Sequence, residues 1–184
     1  MSSELVAIQY AVAPPVVRVA MEIAYLCCAR FSDVLGMRKD QILEEGIYIK
    51  QGKTGKAQIK AWSPRLRAAI KLSQTLVTNQ KVVSAYVISK PDGGHYTADG
   101  FRTRWSAARA AAREQTGYPL DFTFHDLKAK GISDVEGTLH DKQRISGHKT
   151  PGQAARYDRK VEVVPTVDAN NLKSLITNNA KTKT

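Results

Sequence analysis

The run from Val16 to Ala29, entered through Pro14-Pro15, restricts this chain more than any other feature. Its residues, VVRVAMEIAYLCCA, are apolar at nearly every position and leave no wide polar face. Proline suits a helix start, where the first N–H groups have no intrahelical partner to lose. A helix that is apolar on most sides must be buried on most sides. The remaining elements therefore have to cover residues 16–29. The chain has 184 residues, 42% of them hydrophobic, which suffices for one compact core.

The other signals are mostly helical. Ser32 is a plausible N-cap for a short helix over FSDVLGMR. Ser63-Pro64 opens a helix over RLRAAIKLSQTL, and Phe101 to Arg113 is alanine-rich and helical, stopped by Gly117 and Pro119. FHDLKAKGISDV, DKQRIS and PGQAARYDR read as three further short helices, the last started by Thr150-Pro151. Ile47 and Ile49, then Ile59 and Ala61, alternate with polar neighbours around QGKTGK, which predicts two strands and a hairpin turn. VVSAYVIS, residues 82–89, reads as a strand or buried segment, and PDGGHY as a turn. The expected fold class is α+β, mainly α-helical, with a small antiparallel β-hairpin near residues 46–62. Residues 1–13 are weakly patterned and read as a leader or linker stub. Residues 14–177 form the expected domain, and the polar tail 178–184 is expected to be disordered.

No apolar stretch approaches the ~20 residues of a membrane span. The opening carries Glu4 rather than a basic segment, which makes a poor signal peptide. Cys27 and Cys28 are adjacent and cannot form an ordinary disulfide. These features predict a cytoplasmic protein with reduced thiols and no membrane partner. Lys and Arg total 28 against 17 Asp and Glu, a net charge of +11, which makes a polyanion the leading partner class. Gly52-Lys53-Thr54 mimics the end of a phosphate-binding loop, but Ile47 stands where its first glycine belongs. The four histidines include no i, i+4 pair with an acid, and no G-x-S-x-G elbow occurs. Neither a metal nor a nucleotide cofactor is expected.

Five segments in order carry the chemistry: Arg30-Phe31-Ser32-Asp33, the Gln51-Gly52-Lys53-Thr54-Gly55 turn, His125-Asp126-Leu127-Lys128, Ser146-Gly147-His148, and Tyr157, nine residues after His148. Together they resemble the catalytic domain of the tyrosine recombinases, the phage integrase family. The resemblance implies Arg30, Lys53, His125, Lys128, His148 and Tyr157 as catalytic residues. Lys128 stands where the family pattern usually has a second arginine; it keeps the charge without the planar fork. Lys56 is a rival to Lys53, and Lys130 lies two residues beyond Lys128. Asp33 is expected to orient Arg30.

Breaking a DNA strand without metal requires donors for a five-coordinate phosphorane-like transition state, which Arg30, His125, Lys128 and His148 can supply. A tyrosine hydroxyl, with a pKa of ~10, needs surrounding cations to become a nucleophile. The resemblance implies that Lys53 protonates the leaving 5′ oxygen and that a 3′-phosphotyrosyl link conserves the bond energy. Arg65, Arg67, Lys71, Arg102, Arg104, Arg109 and Arg113 fall on two predicted helices and, with Lys56 and Lys130, are candidates to track the phosphate backbone. The implied partner is double-stranded DNA, bound by a homotetramer that is monomeric when free. The chain before Pro14 has no room for the DNA-binding domains of full-length relatives, so it reads as an isolated catalytic domain. A topoisomerase-like strand swivelase and a non-catalytic DNA-binding remnant remain the alternatives.

Overall fold

The apolar run forms helix α2, Pro15–Leu26, at the centre of the computed structural model, which describes residues 2–78, 81–148 and 150–156. Val17, Val19, Ala20, Ile23 and Ala24 are buried, and α2 packs mainly on α4 (Pro64–Ser73) and α6 (Phe124–Asp134). The chain order is α1 (Ser3–Val12), α2, α3 (Phe31–Leu35), a 3₁₀ turn at Lys39–Gln41, β1 (Gly46–Lys50), β2 (Ala57–Ala61) and α4. Then follow α5 (Ala98–Thr116), α6, α7 (Leu139–Ser146) and α8 (Pro151–Ala155). The described residues are thus mainly helical with one two-stranded antiparallel sheet. Phe31, Phe101, Trp105, Phe122 and Phe124 meet edge-to-face and join α3, α5 and α6 into the same core.

Local chemistry sets most helix ends. Ser63, Thr97 and Thr138 each accept a backbone N–H from within the first turn. Thr123 and Asp126, like Thr138 and Asp141, bond reciprocally as capping boxes. Gly117 and Gly147 close α5 and α7 with φ of +72° and +67°, a conformation natural to glycine.

Several elements differ from the sequence reading. Residues 3–12 form a helix rather than an unpatterned stretch. Leu5, Val6, Ile8, Tyr10 and Val12 lean on the core from several sides while Gln9 is buried, so the segment shows no single apolar stripe. α3 begins at Phe31 and ends at Leu35, short of Arg38, and its N-cap is Arg30, two residues before Ser32. Residues 82–89 join no strand of the sheet, and only part of the segment is buried: Ser84, Val87, Ile88 and Ser89 lie inside while Val83 is exposed. The hairpin turns its second strand opposite to the apolar alternation. Ile47 pairs with Lys60 and Ile49 with Gln58, so Lys60 is buried while Ile59 is 50% exposed. Cross-strand partners share a face, and register therefore overrides the pattern of a single strand. Residues 157–184 lie outside the described residues.

Gly131 sets the approach of α6 to α2. A Cβ there would fall on the Tyr25 carbonyl oxygen and touch the Cys28 sulfur. Alanine in a helix interior is ordinarily favoured over glycine by ~1 kcal/mol. Here Gly131→Ala should instead destabilise by about 1–3 kcal/mol through overpacking. Urea denaturation checks this; a raised midpoint would contradict the packing account.

Candidate active site

Three segments far apart in sequence converge on the C-terminal end of α7. The first is the turn after α2. Cys28 adopts φ +49°, which ends the helix, and Arg30 follows as the N-cap of α3. The second is α6, on which Lys128 is buried, 1% exposed, with Nζ donating to the Cys28 carbonyl at 2.8 Å and the Ser146 carbonyl at 3.5 Å. The third is the hairpin. Gln51, directly after β1, accepts a hydrogen bond from Arg30 Nη1 at 2.5 Å and donates to the Ser146 carbonyl at 2.8 Å.

The last carbonyls of a helix have no intrahelical partner. In α7 they are met by side chains. Gln58 Nε2 donates to Arg144 O at 2.6 Å, Lys60 Nζ to Ile145 O, and Gln51 and Lys128 to Ser146 O. Gly147 then turns the chain, and its missing Cβ leaves the space that Gln51 Nε2 and Gln58 Oε1 occupy. His148 follows, buried, with Nδ1 2.9 Å from the Ser146 hydroxyl, which also donates to Gln143 O at 3.2 Å.

The electrostatics are those of crowded cations. Burial first, then the Arg30 charge, lowers the Lys128 pKa from 10.5 to about 8. Burial, then Lys128, Arg30 and Lys56, lowers the His148 pKa from 6.5 to about 4, so its imidazole is neutral at pH 7. Burial lowers the pKa of Lys60 as well. No salt bridge engages Arg30 or Lys128 among the described residues. Asp33, expected to orient Arg30, instead accepts from the Gly52 amide at 3.1 Å and ties the hairpin turn to α3. An array of this kind, rigid and short of negative charge, is chemically suited to an anion such as a phosphodiester.

Of the residues singled out in the sequence, Arg30, Lys128 and His148 thus lie together. Lys53 is exposed on the adjoining turn, and Lys56 is near enough to act on His148. His125 is exposed in the first turn of α6, one turn before Lys128. Tyr157 lies outside the described residues.

The candidate backbone-tracking residues divide. Arg65 forms a two-pronged ion pair with the buried Glu22, at 2.6 and 2.9 Å, and lies over the Tyr25 ring. Lys130 pairs with Asp134, which also accepts from the Tyr25 hydroxyl at 2.9 Å. Both line a cleft of about 490 Å³ between α1, α2, α4 and α6, and neither is hydrogen-bonded or ion-paired to Arg30 or Lys128. Arg102 pairs with Asp99 at 2.6 Å, Arg109 donates to Phe122 O and Arg113 pairs with Asp121. Arg104 is exposed on α5 and Arg67 lies over Trp62. Sequence reasoning missed Gln58 and Lys60, and took Gln51 only as the start of a turn. The signal available was a polar residue at each β2 position that pairs with an inward isoleucine of β1, Lys60 with Ile47 and Gln58 with Ile49.

A model of the phage integrase family matches residues 4–162. The integrase of Escherichia phage HK022 is 30% identical over 164 residues, covering 85% of this chain and 45% of that protein. The integrase of Escherichia phage lambda is 27% identical over 145 residues, covering 76% and 40%. The chain therefore spans less than half the length of these curated relatives. Among solved structures, a lambda integrase dimer bound to a COC′ core site superposes with a TM-score of 0.72 at 20% identity, covering 90% of this chain and 62% of that one. The lambda integrase catalytic core gives 0.65 at 18%, covering 80% and 90%. XerA recombinase gives 0.67 at 14%, covering 97% and 64%. These likenesses establish a shared fold.

The depressed His148 pKa carries a sign. Between pH 6.5 and 4 the unfolded chain binds a proton that the native ring refuses, so this group's contribution to stability is lost as pH falls through that window. An NMR titration should place the His148 midpoint near 4, and Lys128→Met should move it upward. A midpoint near 6.5 in the native protein would contradict the crowded-cation account.

Proposed function

The chain belongs to the phage integrase family, and from that premise we propose that it is the catalytic domain of a site-specific DNA recombinase. It cleaves and rejoins duplex DNA through Tyr157. The observation that carries this reading is the convergence of Arg30, Lys128 and the neutral His148 on one helix terminus, with no carboxylate ion-paired to Arg30 or Lys128 among the described residues. Burial and then neighbouring cations depress Lys128 and His148, and a scissile phosphate placed there relieves the second of these.

The Tyr157 hydroxyl oxygen attacks the phosphorus, and His125 accepts its proton. Arg30 and Lys128 donate to the non-bridging oxygens as charge builds in the transition state, and His148 joins them once the bound phosphate favours protonation of its second ring nitrogen. Two of the three Lys128 N–H groups are directed at the Cys28 and Ser146 carbonyls, which leaves one for phosphate. The 5′ oxygen departs and takes a proton from Lys53 on the hairpin turn. The product is a 3′-phosphotyrosyl bond and a free 5′ hydroxyl, and the reverse attack reseals a strand without a cofactor. A solved neighbour is a lambda integrase tetramer bound to a Holliday junction, which supports a homotetramer on two DNA sites for this protein too. The protein acts on DNA in the cytoplasm of a bacterial host. Lys56, Lys71 and Arg104, all exposed, hold the flanking backbone.

A nicked suicide DNA substrate tests the reading. The wild-type chain should form a covalent adduct that maps to Tyr157, without metal or nucleotide, and Tyr157→Phe should form none. An adduct persisting in Tyr157→Phe would overturn the assignment. Removing the one charge-assisted contact in Lys128→Met should slow adduct formation by roughly ten- to hundred-fold. An unchanged rate in that variant would remove Lys128 from the phosphate site.

A further inference from the structure

Gln51 is 4% exposed and uses both ends of its amide. Oε1 accepts from Arg30 Nη1 at 2.5 Å and from Thr54 Oγ1 at 3.0 Å. Nε2 donates to the Ser146 carbonyl at 2.8 Å. The oxygen thus faces two donors and the nitrogen an acceptor, so the amide has one orientation that satisfies all three partners. The main chain of the same residue closes the turn. Its carbonyl accepts from Gly55 N at 2.8 Å and Thr54 N at 3.3 Å, and its N–H donates to Lys56 O at 2.9 Å. One residue therefore holds the turn that carries Lys53, the guanidinium of Arg30, and the carbonyl two residues before His148. Gly147 admits this contact, because a Cβ there would fall on Gln51 Nε2.

We propose that Gln51 is a positioning residue, which aligns Arg30, the Lys53 turn and the Ser146-Gly147-His148 turn as one unit over the scissile phosphate. The inference rests on the recombinase reading. A group that only positions others should affect the rate of the bound complex more than its formation. Methionine matches glutamine in length and flexibility and offers neither the amide donor nor a strong acceptor. Glutamate keeps acceptors for Arg30 and Thr54 and loses the donor to Ser146.

The test is single-turnover cleavage of a nicked duplex at saturating DNA by the full chain, with affinity measured by fluorescence anisotropy and rates corrected for the folded fraction. Gln51→Met should cleave roughly ten- to hundred-fold more slowly, with Kd within about three-fold of wild type. Gln51→Glu should fall between. Combining Gln51→Met with Lys53→Ala should cost little more than the larger single loss, because both act through the same turn. A wild-type rate in Gln51→Met, or a loss confined to Kd, overturns the inference and leaves the recombinase reading intact. If Gln51→Met does not fold, a wild-type rate in Gln51→Glu overturns it equally. If the wild-type chain forms no adduct, both readings fall together.

Discussion

The C-terminal carbonyls of α7 are the socket on which the site depends. A helix end carries about half a negative charge and orphaned acceptors, and burying it without donors is costly. Gln58, Lys60, Gln51 and Lys128 supply those donors to Arg144, Ile145 and Ser146. Three of the four come from the hairpin and one from α6. An isolated two-stranded ribbon is marginal in water, and here burial of Ile47 and Ile49 in the core anchors β1 while these bonds anchor β2 and the turn. Docked on α7, it becomes a fixed arm, and the same contacts set the turn from which His148 projects.

The negative end of α7 also makes the cation cluster tolerable. Lys60 and Lys128 are buried where a helix terminus favours positive charge, yet the pKa values of both fall, so their desolvation and mutual repulsion are only partly offset. The protein thereby separates its cations into two kinds. Arg65 and Lys130 are matched to Glu22 and Asp134 around Tyr25 and hold α2, α4 and α6 together. Among the described residues Arg30 and Lys128 bond only neutral acceptors, a carboxamide oxygen and backbone carbonyls, and on the proposed reading they keep their charge for an incoming anion. Sites that stabilise transition-state charge are commonly built at some cost in native stability.

Much of this was legible in the sequence. Periodicity marked α2 and most other helices, because an amphipathic or apolar stripe is a local property. The resemblance of five ordered segments to the family pointed to Arg30, Lys128 and His148, which the fold brings to one place. The inward face of β2 was not legible. Ile59 and Ala61 carry the apolar alternation, while register with Ile47 and Ile49 turns Lys60 and Gln58 inward, toward an α7 terminus about 85 residues away in sequence. The role of Gln51 was hidden for the same reason: its three partners lie on three segments. Asp33 sat beside Arg30 in sequence, yet it serves the Gly52 amide. Arg65 read as a surface cation because its partner Glu22 lies inside the apolar run.

The hairpin and the His148 turn stand or fall with the α7 socket. Amide hydrogen exchange in Lys60→Met tests it directly, because Lys60 donates to the socket from β2 and belongs to none of the proposed chemical steps. Protection should fall together across β1, β2 and the Gly147 amide, which bonds to Gln143 O, while the α2 and α6 amides in the core stay protected. Loss confined to β2, with Gly147 as protected as in the wild type, would contradict it.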